Sequence, residues 1–295
     1  MCGIVGLFLK DPSLEPQLGA LLSGMLAVMT DRGPDSAGFA VYGGGSADRL
    51  KLTLRGHNLD RVAEALSAAI GERAFGTLRD SHLVLSVPKS RDAAVRGWLA
   101  AERPDLVVIG AGQRIELYKE VGLPADVATR FGLAGMAGTH GIGHTRMATE
   151  SAVTTDGAHP FSTGPDQCLV HNGSLSNHRS LRRMLEPEGI VFATDNDSEV
   201  AAGYLSWKLR QGATLAQALE AGLDDLDGFF TFVVGTESGF AVLRDPISCK
   251  PAVMAETDRY VAFGSEYRAL VGLPGIEGAR VFEPEPARVY AWERA

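Results

Sequence analysis

Hydrophobic and polar positions divide the chain into short strands and amphipathic helices. "GIVGLFL" (3–9) contains no charged residue and predicts a buried strand. In "QLGALLSGMLAVMT" (17–30), apolar residues recur at 18, 21, 22, 25, 26 and 29, the spacing of one helical face. "DRGPDSAG" (31–38) is broken by glycine and proline and predicts a loop. "AGFAVYGGG" (37–45) and "RLKLTLRG" (49–56) flank a glycine run and predict a hairpin.

The character of the chain then changes. "SHLVLSV", the helical "SRDAAVRGWLAAE", "DLVVIGAG" and "RIELYKEVG" alternate strand and helix, which predicts a small α/β insert at about 46–135. Beyond it, "GTHGIGHTRMATES" and "QCLVHNGSLSNH" alternate strand and loop, and helices are predicted over 177–186, 197–211 and 214–224. "GFFTFVVGT", "GFAVLRD", "PAVMAET", "RYVAFGS" and "ARVYAWER" read as successive strands. Helices against antiparallel sheets predict an α+β layered domain spanning 1–295, with no repeat of fixed period.

Composition narrows the function classes. A length of 295 residues can bury a sizeable core, and a net charge of −8 argues against nucleic acid, which favours basic surfaces. No long uninterrupted apolar run predicts a membrane span, and the N-terminus lacks the pattern of a signal peptide. Cys2, Cys168 and Cys249 are scattered, which gives no disulfide framework and suggests a reducing, cytoplasmic setting. No metal or iron–sulfur site is expected within this chain. His140 and His144 have zinc-ligand spacing for a helix, but the intervening "GIG" opposes one.

Cys2 stands where chain ends usually fray. Removal of Met1 would leave a residue with both a thiol and an α-amine. An amine with a reference pKa of about 7.7 can take the thiol's proton, so nucleophile and base share one residue. The alternative is a small apolar residue opening a strand. Arg146 in "GHTRMATES" can grip a carboxylate through two parallel hydrogen bonds, or sit in a surface ion pair, and Thr149 follows it. Asn172 and Gly173 can supply an amide and a backbone N–H to an oxyanion, although Asn-Gly alone predicts a hairpin turn. In "TDNDSEV", Asp195, Asp197 and Glu199 precede an apolar-periodic segment. They suit helix capping, or a carboxylate that pairs with an ammonium group. Together these groups fit the α-amino acid end and side-chain carbonyl of glutamine.

"CGIVG", "DRGPDSAG", "GHTRMAT", "HNG" and "DNDSE" occur in the order found in class II glutamine amidotransferases, which the chain resembles. "RDPISCKPAV" and "VAFGSEYRAL" are similar to later stretches of that family. The resemblance implies the four-layer αββα sandwich of N-terminal-nucleophile hydrolases, with an α/β insert. It implies Cys2 as nucleophile, Asn172 and Gly173 as oxyanion donors, Arg146 for the substrate α-carboxylate and Asp197 for its α-amine. Arg32 would shape the site beside Cys2, and Thr149 would add a substrate hydrogen bond. The implied activity is glutaminase, delivering ammonia to a separate synthase subunit. Chains of this architecture resemble the amidotransferase subunit of three-subunit, glutamate-synthase-like enzymes such as N-methylglutamate synthase. That resemblance implies no cofactor in this chain, with flavin and iron–sulfur centres in the partners. A stand-alone amidohydrolase of the same fold and a non-catalytic assembly subunit are the competing readings.

Overall fold

Three sheets organise the residues that the computed structural model describes, 2–148 and 152–294. The largest runs in the order β15 (Arg280–Phe282), β13 (Val253–Glu256), β14 (Tyr260–Gly264), β1 (Gly3–Leu9), β8 (His140–Arg146), β2 (Ser36–Tyr42) and β7 (Ile115–Val121). A second runs β16 (Val289–Glu293), β12 (Gly239–Arg244), β11 (Gly228–Gly235), β10 (Gln167–Leu175) and β9 (Phe161–Gly164). The third, of four strands, is β4 (Phe75–Arg79), β5 (His82–Pro88), β3 (Arg49–Arg55) and β6 (Val107–Gly112). Neighbouring strands in all three pair antiparallel.

The first two sheets stack face to face, and alternation along β1 shows how. Ile4 and Phe8 point into the core between the sheets, with Val170, Val233 and Phe240. Val5, Leu7 and Leu9 point the other way, onto α1 (Leu18–Ala27), where Leu22 and Leu26 share their core, and α4 (Pro124–Arg130) covers the same face of the sheet over β2 and β7. Beneath the second sheet, Leu169, Phe232 and Leu243 pack on α5 (His178–Leu185), α6 (Asp197–Arg210) and α7 (Leu215–Asp225). The layers are therefore helix, sheet, sheet, helix. The four-stranded sheet carries α2 (Val62–Ile70) and α3 (Asp92–Glu102) on a core of its own, which includes Leu52, Leu85 and Val95.

Two local expectations are overturned. The hairpin across Gly43–Gly45 is absent, because β2 is flanked on both edges by β7 and β8 while β3 leaves for the four-stranded sheet. The Asn-Gly turn at 172–173 is absent too: both residues lie within β10, opposite Thr231 and Phe230 of β11. Of the stretch 46–135, residues 49–112 span the four-stranded sheet, whereas β7 completes the largest sheet and α4 packs on α1. Asp166 ties the two parts together. Its carboxylate accepts from the amides of Gln113, Arg114 and Ile115, where the chain re-enters the sandwich. Among the described residues, no helix is long and apolar enough to cross a membrane.

Candidate active site

The strand ends of the two stacked sheets open on one cleft of about 790 Å³, within the usual size range of small-molecule sites. Cys2, Arg146, Asn172, Gly173 and Asp197 all line it. They come from the residue before β1, the end of β8, the C-terminal half of β10 and the first residue of α6. Thr149 lies outside the described residues.

Cys2 immediately precedes β1, and its Sγ lies 4.0 Å from the Met147 carbonyl oxygen. Two side chains donate to the Cys2 carbonyl: Asn172 Nδ2 at 3.2 Å and Arg32 Nε at 3.0 Å. Arg32 is buried and is not among the residues lining the cleft. It sits behind Cys2, where Nη1 also pairs with Glu266 at 2.7 Å.

Gly173 occupies a backbone conformation of φ +153°, and an added Cβ would fall 1.9 Å from the Phe229 carbonyl oxygen. Its partner Phe230 directs both backbone polar groups to Asp245. The Phe230 amide donates to Asp245 Oδ1 at 3.0 Å, and the Phe230 carbonyl accepts from the Asp245 amide at 2.9 Å. Gly173 and Phe230 are thus a non-hydrogen-bonded pair, with the Gly173 amide directed away from β11. On that side β9 pairs with β10 only through Gln167 and Leu169, so the Gly173 amide meets no strand there.

Arg146 ends β8, buried, with Nη1 donating to the Ala152 carbonyl at 3.3 Å. The 31–35 loop shapes its surroundings. A Cβ at Gly33 would lie 2.4 Å from the Thr145 carbonyl carbon and 2.5 Å from the Arg146 nitrogen, so only glycine lets the loop lie this close. Asp35 adds two bonds: its amide donates to the Arg146 carbonyl at 3.1 Å, and its carboxylate accepts from the Ala148 amide at 2.8 Å.

Asp197 opens α6 behind the N-cap Asn196, whose side chain accepts from the Ser198 amide. Asp197 Oδ2 accepts from the Leu175 amide at 2.9 Å, and Oδ1 from Ser198 Oγ at 3.3 Å. Asp195 also lines the cleft, but its side chain is fully exposed. Glu199 turns inward, and its carboxylate accepts from the Ala193 and Thr194 amides at 2.8 and 2.7 Å, shaping the turn before α6. The three acids of "DNDSE" thus divide between the cleft wall and loop support.

Buried histidines lie beneath the site. His171 Nδ1 pairs with Ser198 Oγ at 2.8 Å; burial lowers the His171 pKa, while the Asp197 charge opposes that shift. The rings of His144 and His159 stack 4.0 Å apart, and burial lowers His144 to about 3, so it is neutral near pH 7. Lys119 Nζ donates to the carbonyls of Asp156 and Ala158 at 3.0 and 2.8 Å and supports the cleft wall from behind; burial lowers its pKa to about 8. Lys250 and Arg179 add cationic groups to the cleft, and Asp156 adds an anionic one.

Sequence reasoning passes over Asp35, Ser198, His171, Lys250 and Glu266. The first three lie inside or beside the quoted motifs, as do the last two in "RDPISCKPAV" and "VAFGSEYRAL". Their roles depend on pairings across long sequence separations, which no local pattern displays. His140 and His144 both lie on β8, where His140 stacks on Tyr42 and His144 on His159. Among the described residues, no group of three or more His, Cys, Asp or Glu side chains is placed to hold a metal ion.

Residues 144–272 match the glutamine amidotransferase domain family. The chain is 64% identical over 301 aligned positions to the glutamine amidotransferase-like protein GlxB of Rhizobium meliloti (strain 1021), covering 99% of this chain and 98% of that protein. It is 32% identical over 165 positions to an amidophosphoribosyltransferase of Methanocaldococcus jannaschii, covering 55% of this chain and 35% of that protein. Among solved structures, the glutamine phosphoribosylpyrophosphate amidotransferase of B. subtilis superposes with a TM-score of 0.62 at 20% identity, over 99% of this chain and 47% of that one. The fold is the N-terminal-nucleophile sandwich of class II amidotransferases. With nearly two thirds of its residues shared with a relative that it covers over 98% of that protein's length, this chain belongs to the glutamine amidotransferase family.

Proposed function

We propose that this amidotransferase hydrolyses the γ-amide of glutamine through a thioester on Cys2 and passes the ammonia to a separate synthase subunit. One observation carries the reading: a thiol, an amide donor, a guanidinium and a carboxylate from four separate elements face a single cleft.

The chemistry follows from those groups. Removal of Met1 frees the Cys2 amine, which takes the thiol proton and becomes an ammonium group. The thiolate adds to the γ-carbonyl carbon. The resulting oxyanion is met by the Gly173 amide and by the second N–H of Asn172 Nδ2, whose first holds the Cys2 carbonyl. The Cys2 ammonium returns its proton to the amide nitrogen, the C–N bond breaks, and ammonia leaves. Water, deprotonated by the same amine, then adds to the thioester and releases glutamate and the thiol. Arg146 holds the α-carboxylate and Asp197 the α-ammonium group, which orients the γ-amide.

Ammonia released into water is protonated and loses its nucleophilicity, which favours direct delivery to a partner. A glutamate-synthase-like or N-methylglutamate-synthase-like complex is the proposed setting. Hydrolysis of glutamine needs no redox chemistry, so any flavin or iron–sulfur centre falls to the partner subunits.

Incubation of Met1-processed protein with glutamine, alone and with its synthase, should yield glutamate. No glutamate in either case would reject the proposal. Arg146→Ala should raise KM for glutamine on the order of 100-fold by removing the carboxylate grip. An unchanged KM would favour an amidohydrolase for a different amide.

A further inference from the structure

We propose that Glu266 is a positioning residue for the nucleophile and acts through Arg32. The inference rests on the reading of Cys2 as that nucleophile. A ladder running along β1 holds every residue from Gly3 onward, but Cys2 stands before it. Once Met1 is removed, Cys2 has chain on one side only. The Cys2–Gly3 peptide plane then sets where the thiol and amine project, and the handle on that plane is the Cys2 carbonyl.

Arg32 Nε and Asn172 Nδ2 hold this carbonyl. A guanidinium buried to 8% exposure needs a counter-charge to stay in place, and Glu266 supplies it. Glu266 is itself fixed from two directions. The Ile4 amide donates to Ser265 Oγ and the Ser265 amide to the Ile4 carbonyl, both at 2.9 Å, so its chain neighbour is locked beside β1. Glu266 Oε2 pairs with Arg268 Nε at 2.6 Å, and Arg268 Nη1 with Asp31 at 3.1 Å. Charges alternate along Asp31, Arg268, Glu266 and Arg32 and end on the carbonyl of the reacting residue. Neither Arg32 nor Glu266 lines the cleft, which separates this role from substrate binding.

Without Glu266, Arg32 should move toward solvent and release the carbonyl. A misplacement of about 1 Å can cost on the order of 100-fold in rate. The test compares Met1-processed wild type, Glu266→Ala, Glu266→Gln and Arg268→Ala as full chains. It reads kcat and KM for glutamine per titrated Cys2 site, and the pH profile of Cys2 alkylation by iodoacetamide. Glu266→Ala should lower kcat roughly 10- to 100-fold with KM within about twofold, and should displace the alkylation profile. Glu266→Gln keeps an acceptor oxygen and should recover part of the loss; Arg268→Ala, one link further out, should cost less than Glu266→Ala.

Unchanged kcat per titrated site and an unchanged alkylation profile in Glu266→Ala would overturn the proposal. If that variant does not fold, the same result in Glu266→Gln and Arg268→Ala would overturn it. A wild type that makes no glutamate defeats the glutaminase reading instead, and the alkylation profiles still decide whether Glu266 sets the reactivity of Cys2.

Discussion

The stacked sheets and the four-stranded unit are built from the same materials but used differently. In β1, β2 and β8 every residue is buried, because helices cover one face and the partner sheet the other. The outer strand β4 leaves Phe75 and Leu78 47% and 45% exposed, with β5 on one edge only. Every described candidate site residue belongs to the sandwich, and none belongs to residues 49–112. Doubly covered strands hold the ends of β1, β8 and β10 at fixed separation, which a catalytic constellation requires. The four-stranded sheet carries its helices on one face and rests on the sandwich through the other, where Thr53, His82 and Val84 are buried, yet none of its described residues lines the cleft.

Damage to the two regions should therefore have different consequences. The largest effect on activity is expected from Cys2→Ala. It should reduce glutamine hydrolysis by at least a thousandfold while leaving the thermal transition in place, read by glutamate release and calorimetry. Arg146→Ala comes next, with its effect chiefly in KM.

Leu85→Ala, in the core of the four-stranded unit, should act in the opposite sense. It should destabilise that unit by about 2–5 kcal/mol in denaturant unfolding and leave kcat/KM for glutamine nearly unchanged in the folded protein. A parallel loss of activity would show that the unit helps to set the site.

The smallest effect concerns pH. His82 of β5 lies against Tyr118 and Phe131, and burial lowers its pKa from 6.5 to about 3, with the charges of Arg55, Lys119 and Arg130 adding to the shift. Its folded pKa lies below its unfolded one, so the unfolded chain binds the extra proton between these values. Stability is therefore lost as pH falls from 6.5 toward about 3. His82→Phe should remove about 1–2 kcal/mol of the acid-induced loss between neutrality and about pH 5, measured by denaturant unfolding at each pH. The part due to His140 and His144, both also lowered to about 3, should remain.

Much of the layered fold was legible where the signal is local. The apolar spacing of 197–211 predicts α6, and Asn196 caps it as its residue type suggests. Thr214 and Gln217 form the reciprocal capping box of α7. Strand pairing was less legible. The glycine run after Tyr42 is a sound turn signal, yet β2 pairs with strands some 75 and 100 residues away, and nothing local announces them. Asn172-Gly173 shows the same limit. The dipeptide favours a turn, but the positive φ of Gly173 lies inside a strand, where an added Cβ would strike the Phe229 carbonyl. For the site, the motifs mark side chains that face the cleft. Support from behind is harder to read: Arg32 and Glu266 are 234 residues apart, and only folding brings them together beside Cys2.

The most direct test of the central claim is to react the purified protein with 6-diazo-5-oxo-L-norleucine, a reactive glutamine analogue, and map its N-terminal peptide by mass spectrometry. The expected product is a peptide beginning at Cys2, with one label on its sulfur and glutaminase activity lost in proportion. An active protein that retains Met1, or that carries its inactivating label on another residue, would contradict it.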